Sequence, residues 1–246
     1  MNNPLISIIT VCYNSEKTID KTLESMLNQT YDNYEYIIID GNSSDNTLKI
    51  IESYKDKFNG KMKYISENDN GIYDAMNKGI NLCKGKLIGI VNSDDWYEKH
   101  TIEIISNNYK EDSMQIIYGM QRLIKDEEEY EVVLKNHEFI KERMISHPTC
   151  FISKSIYDKY GKYNTEYKVS ADYEFMLRIS DIKEIKYTKV YDIISNFRLG
   201  GESSTQQGVL ETAKLRYVHN CIGKNTYYKI KFRSKIYSLY KKLFSN

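Results

Sequence analysis

Four short apolar runs divide the first part of the chain: "LISIITVCY", "YEYIIID", "MKYIS" and "KLIGIV". They are rich in β-branched and aromatic residues, and most lack the alternation of a half-exposed strand, so they read as strands buried on both faces. Helical spacing fills the intervals, with Ile19, Leu23, Met26 and Leu27 in the first. "Ser44-Asp45-Asn46-Thr47" is a helix start before Leu48, Ile51 and Tyr54, and Ile72, Ala75, Met76, Gly79, Ile80 and Cys83 form a third helical face. Buried strands alternating with helices predict an α/β fold: a mostly parallel, Rossmann-like central sheet with helices on both faces.

In such sheets, ligands bind outside the carboxyl ends of the strands. Those ends carry "Tyr13-Asn14-Ser15", "Asp40-Gly41-Asn42-Ser43-Ser44-Asp45", "Glu67-Asn68-Asp69-Asn70-Gly71" and "Asn92-Ser93-Asp94-Asp95". All are polar and three contain carboxylates. Two adjacent acids at a strand end suit a hard divalent cation, Mg²⁺ or Mn²⁺, which in turn suits phosphate oxygens. Asp40 and Asp69, on neighbouring strand ends, are placed to accept hydrogen bonds from a base or a ribose. There is no Gly-x-x-x-x-Gly-Lys-[Ser/Thr] loop and no Gly-x-Gly-x-x-Gly turn, so metal would be the main hold on phosphates.

The second half is less regular. "QIIYGMQRLIK", "YEVVL", "TCFIS", "EIKYTKV" and "DIISNFRL" read as strands, and "EFIKERM" and "ADYEFMLRIS" as helices. Long helices are expected from about Gln206. With two prolines and no Gly/Ser-rich linker, the expected organisation is one domain over 1–205 and a helical extension over 206–246. The N-terminus has no basic leader, and no apolar stretch approaches the ~20 residues of a membrane span. Four scattered cysteines fit reduced thiols. These features predict a cytoplasmic protein.

At this point the ordered set "SIITVCYN", "IIIDGNSSDNT", "ENDNGIYDAMNKGI", "GKLIGIVNSDDWY" and "ADYEFMLR" resembles family 2 glycosyltransferases of the GT-A fold, from about Leu5 to Gly201. "GIYDAMNKGI" looks like the branch that builds bacterial surface polysaccharides and O-antigens. The resemblance implies inverting, metal-dependent sugar transfer from a nucleotide diphosphate sugar, with UDP expected, to a lipid-linked or oligosaccharide acceptor. It places Tyr13, Asn14, Asp69, Asn77 and Lys78 along the nucleotide-sugar pocket, Asp40 by the base and Asp94 by the ribose. Asp95 would bind the metal, although Asn92 or Ser93 stands where the family's Asp-x-Asp element begins. Asp172 would be the general base, with Ala171 in place of the usual Glu. His147 would lie near acceptor or metal, and Arg198, with Gly200, Gly201 and Ser203, in a loop closing over the diphosphate.

Blander readings accompany each residue. Asp94-Asp95 would cap a helix starting near Glu98, and Asp172 its own helix. Lys78 would be solvated, His147 an exposed loop residue and Arg198 a surface ion pair. A non-catalytic nucleotide-sugar-binding subunit and a nucleotidyltransferase are the alternative functions. The second would want a glycine- and arginine-rich loop that "TVCYNSEKT" lacks. The chain's net charge is +1, yet nine lysines and arginines and no acid follow Glu211, leaving −8 on residues 1–211. In the tail, Phe232, Ile236, Leu239, Tyr240 and Leu243 recur at helical spacing among lysines. Such a helix is expected at the inner face of the plasma membrane, or packed on the acidic body, or in a homodimer interface. No base-reading motif points to nucleic acid.

Overall fold

The computed structural model describes residues 3–200 and 205–244, the side chains from 238 onward excepted. In chain order the first half runs β1 (Ile6–Cys12), α1 (Ile19–Leu27), β2 (Tyr34–Asp40), α2 (Thr47–Tyr54), β3 (Met62–Ser66), α3 (Ile72–Leu82) and β4 (Leu87–Ile90). The second half runs β5 (Trp96–Tyr97), α4 (Thr101–Asn108), β6 (Gln115–Lys125), β7 (Glu128–Val133), β8 (Phe151–Ser153), α5 (Lys154–Tyr160), α6 (Ala171–Ile179), β9 (Lys186–Arg198), α7 (Gln206–Val218) and α8 (Lys224–Phe244).

The strands form one sheet in the order β3-β2-β1-β4-β8-β6-β9-β5, with β7 on β6. β1, β2, β3 and β4 are mutually parallel. Beyond them the sheet is mixed: β8 runs antiparallel to β4 and β6, whereas β6 and β9 are parallel. Successive residues of β1 and β2 serve opposite cores. Ile9, Val11, Ile37 and Ile39 pack with Tyr73, Met76 and Ile80 of α3. Ile6, Ile8, Tyr36 and Ile38 pack with Ile19, Leu23 and Met26 of α1 and Ile51 of α2. That two-faced burial is why these strands are apolar throughout.

Register aligns the strand ends. Cys12 pairs with Asp40, Asp40 with Ser66, and Ile9 with Ile90. The chain therefore leaves all four strands along one edge.

Several expectations need correction. "EIKYTKV" and "DIISNFRL" form one strand, β9, whose pairing with β6 shifts register between Tyr118 and Gln121. The shift absorbs Tyr191 and Asp192, which looked like a break in the pattern. "EFIKERM" is no helix: only His137–Phe139 makes a 3₁₀ turn, because Ile140 alone in that stretch is buried and seven residues cannot nucleate a helix without a packed face. β5 and α5 were not anticipated. Asp94 and Asp95 do not cap the following helix, since β5 intervenes and His100 precedes α4.

α7 and α8 form a hairpin. Gln206 Nε2 donates to the Ser234 carbonyl at 2.6 Å, and the Tyr217 and Tyr227 rings stack at 4.9 Å. Phe232 and Ile236 stay 66% and 50% exposed, so they do not pack on the body. Leu239, Tyr240 and Leu243 have side chains outside those described.

α3 comes close to the sheet at Gly79. A Cβ there would stand 2.7 Å from Cγ2 of Ile9, inside the core. Gly79→Ala should cost roughly 1–3 kcal/mol through overpacking and lower Tm by several degrees in a thermal melt. An unchanged Tm would mean that α3 moves off β1 freely.

Candidate active site

The rim is built by loops that fasten one another. Asn14, at φ 49°, turns the chain after β1, and its Oδ1 accepts from the Ser44 N–H at 2.9 Å. The Ser15 N–H donates to Thr47 Oγ1 at 2.7 Å, and Ser15 Oγ lies 2.8 Å from Ser93 Oγ. The loops after β1, β2 and β4 thus share side chains. They bound a cavity of about 910 Å³ with Tyr13, Asn14, Asp69, Tyr73, Asp94, His147 and Asp172 in its wall. That volume suits a nucleotide sugar.

Asp40 and Asp69 divide their roles. Asp40 is fully buried and faces inward: its Oδ2 accepts from the Ser43 N–H at 3.0 Å and from Ser66 Oγ at 2.6 Å, and its Oδ1 from Ser43 Oγ at 2.5 Å. It holds the turn and is absent from the cavity wall. Asp69 comes forward instead, because Gly41 leaves room. A Cβ at 41 would meet Asp69 Oδ2 at 2.6 Å and the Tyr13 ring at 3.4 Å.

The acid pair sits in a turn that α1 clamps, with Thr22 Oγ1 donating to the Asp95 carbonyl at 2.6 Å. Asp94 lines the cavity and Asp95 lies beneath it, fully buried. Asp95 Oδ1 accepts from the Arg198 N–H at 3.0 Å; its Oδ2, like Asn92 Oδ1, is buried without a partner. Burial, then repulsion from Asp94, pushes the Asp95 carboxyl well above the usual range, and burial raises Asp94 as well. A divalent cation fits this donor set, since it would engage the orphaned oxygen and relieve the repulsion. Among the described residues no three His, Cys, Asp or Glu side chains are grouped to hold a metal, so the protein would supply two carboxylates at most. His147 does not join them as a ligand set.

Asp172 lies in the cavity wall, in the first turn of α6, where the helix dipole favours a carboxylate. Its Oδ1 accepts from Tyr73 Oη at 2.7 Å and from the Tyr173 N–H at 2.9 Å. Among the described residues no hydrogen bond reaches Oδ2. His147 shares this wall, with Nε2 3.0 Å from Tyr163 Oη. Burial lowers its pKa against the pull of Asp172, which keeps the ring neutral at pH 7.

Three expected site residues stand elsewhere. Asn77 brackets the backbone of Tyr163, donating to its carbonyl at 2.9 Å and accepting its N–H at 3.0 Å. Lys78 pairs with Glu67 at 2.8 Å and donates to the Asn68 carbonyl. The Arg198 guanidinium is paired with Glu127 and lies 5.7 Å from the Trp96 ring, behind the acid pair. The expected closing loop falls mostly on Gly201 and Ser203, outside the described residues.

The profile of "Glycosyl transferase family 2" matches residues 7–200. The chain belongs to that family. It is 29% identical over 208 residues to the chondroitin synthase of Escherichia coli, covering 82% of this chain and 30% of that one. Against a PGL/p-HBAD biosynthesis glycosyltransferase of Mycobacterium bovis it is 26% identical, with 83% and 81% covered. The fold matches S. aureus TarS 1–349, solved with UDP-GlcNAc, at TM-score 0.71 and 21% identity over 92% of this chain and 70% of that one. It also matches a mannosyltransferase from Pyrobaculum calidifontis, solved with GDP-Man and Mn²⁺, at TM-score 0.66 and 13% identity over 88% and 63%. The fold is GT-A, as expected.

In this family 2 glycosyltransferase, the residue that sequence reasoning passed over is Tyr73. It lies within "GIYDAMNKGI", but nothing local shows that its hydroxyl reaches a carboxylate 99 positions away.

The buried, repelled carboxyl of Asp95 makes a stability test possible. It costs stability as pH rises above the unfolded carboxyl's pKa, because burial and Asp94 oppose its ionisation in the folded chain and not in the unfolded one. Asp95→Asn keeps the Arg198 bond and should raise the metal-free Tm by a few degrees at pH 7. The gain should shrink as pH falls and the wild-type carboxyl takes its proton. A lower Tm at pH 7 would contradict this account.

Proposed function

We propose that this glycosyltransferase moves a sugar, with inversion, from a UDP-sugar to a growing lipid-linked glycan in cell-surface polysaccharide assembly. The observation that carries the reading is one cavity lined by both Asp94 and Asp172. Beneath Asp94 lies the buried Asp95, whose Oδ2 has no partner. Asp172 is held by one oxygen, and among the described residues no hydrogen bond reaches the other. Mn²⁺ or Mg²⁺ at Asp94 and Asp95 would supply neutralisation of the leaving diphosphate. Asp69 and Tyr13 are positioned for the nucleoside. The UDP-GlcNAc complex of TarS and the names of the synthase and mycobacterial relatives support the donor and glycan classes.

The chemistry assigned to the chain's own residues is short. The open oxygen of Asp172 takes the proton of an acceptor hydroxyl as that oxygen bonds to the anomeric carbon. The bond from that carbon to the diphosphate breaks on the opposite side, and its electron pair leaves with the phosphate. Positive charge develops on the ring, as in other glycosyl transfers. Neutral His147 keeps a second positive charge away from that oxygen.

Asp172→Asn should lower kcat by a factor of ~100 or more while UDP affinity stays within twofold. Mn²⁺-dependent UDP binding, read by calorimetry, should vanish in Asp95→Ala and on chelation. UDP binding without any turnover would turn the reading toward a nucleotide-sugar-binding subunit.

Membrane contact belongs to the same proposal. Among the described residues no helix is long and apolar enough to cross a membrane. The supporting feature is α8, where Phe232 and Ile236 are exposed between Lys229, Lys231, Arg233 and Lys235. Such a face suits the anionic inner leaflet. Phe232→Ser with Ile236→Ser should weaken co-sedimentation with phosphatidylserine vesicles several-fold. Equal sedimentation would remove α8 from the proposal.

A further inference from the structure

We infer that Glu211, the last acidic residue of the chain, is a positioning residue that holds the base-bearing segment 168–172 in place from outside the family-matched region. The inference rests on Asp172 being the base.

Segment 168–170 precedes α6 without regular structure, yet Lys168, Val169 and Asp172 all line the cavity. Its backbone donors converge on one carboxylate. Glu211 Oε1 accepts from the Lys168 N–H at 3.1 Å. Its Oε2 accepts from Val169 at 2.9 Å and Ser170 at 3.1 Å. Gln207 Nε2 adds a fourth bond, to Oε1 at 3.0 Å, and Thr212 Oγ1 lies 3.3 Å from Ser170 Oγ. Partial burial would raise the carboxyl's pKa, but these hydrogen bonds outweigh it and hold Glu211 below the usual range. It is therefore charged at neutral pH, and charge-assisted bonds of this kind are the strong ones.

The opposite side of the segment is tied to α3. Tyr73 Oη contacts both the Val169 carbonyl at 2.9 Å and Asp172 Oδ1 at 2.7 Å. Lys168 Nζ reaches the Asn70 carbonyl at 3.3 Å. The segment is thus gripped from within by the nucleotide half and from without by α7. Removal of either grip lets the base shift, and displacements near 1 Å are enough to cost one to two orders of magnitude in rate.

The test compares full-length wild type with Glu211→Gln. Glutamine matches the shape but turns an N–H₂ toward N–H donors, so part of the segment loses its acceptor. Hydrogen–deuterium exchange should accelerate at 168–170, with α3 and the melting profile little changed. UDP release from UDP-GlcNAc with Mn²⁺ should fall about 10-fold or more in kcat, while donor KM and UDP affinity stay within twofold. Glu211→Asp, which keeps the charge but retracts it by one methylene, should fall between the two. Unchanged exchange would overturn the grip itself. Faster exchange with wild-type kcat would reduce Glu211 to a structural contact. Asp172→Asn run alongside separates the two readings. If it keeps full turnover, the base assignment fails, whereas the exchange result still judges Glu211.

Discussion

The structure depends on the burial of β1 between β2 and β4 with a helical layer on each face. A strand paired on both edges and covered on both sides cannot slip by one residue without exchanging its two cores, so its register is strongly fixed. Ile9 under α3 and Ile8 over α1 are the residues that would be exchanged. From that register everything at the rim follows. Cys12, Asp40 and Ser66 lie side by side, and the next few residues of each strand have nowhere to go but into one crevice. The loops then stitch together through short side chains such as Asn14, Ser15, Ser43 and Ser93.

The site carries destabilising features that this frame can support. Asp95 is a buried acid beside another acid, with an orphaned oxygen. Such a residue persists only where the surroundings over-determine it, here through Thr22 and the Arg198 backbone, and where a ligand would relieve it. Asp172 is the opposite case. It sits at a helix start with one oxygen hydrogen-bonded twice, and among the described residues no hydrogen bond reaches the other. The acid pair and Asp172 come from different halves of the chain, and the Tyr73 hydroxyl of α3 ties Asp172 to the first half.

The C-terminal helices belong to this machinery as much as to any surface. α7 follows the family-matched segment, yet its Glu211 organises three backbone donors of the loop before α6. α8 stacks on α7 and turns Phe232 and Ile236 outward. The α7–α8 hairpin therefore links an exposed, basic, aromatic surface to the loop before α6.

Much of this was legible in the amino-acid order, because it depends on local pattern. Apolar runs of strand length, helical spacing between them and acids just past the strand ends determine an α/β fold with a polar rim, and the ordered motifs name the family. The sequence by itself also singled out Asp69, Asp94, Asp95, His147 and Asp172. It did not separate Asp40 from Asp69, since which carboxylate turns inward depends on Ser43, Ser66 and the space above Gly41. It did not show that the Arg198 guanidinium pairs with Glu127 in the turn between β6 and β7. It read β9 as two strands because a register shift against β6 is a property of the pair. Tyr73 and Glu211 act through contacts 99 and about 40 positions away in the chain. Local periodicity reports which face of an element is buried; only tertiary structure decides which polar groups meet there.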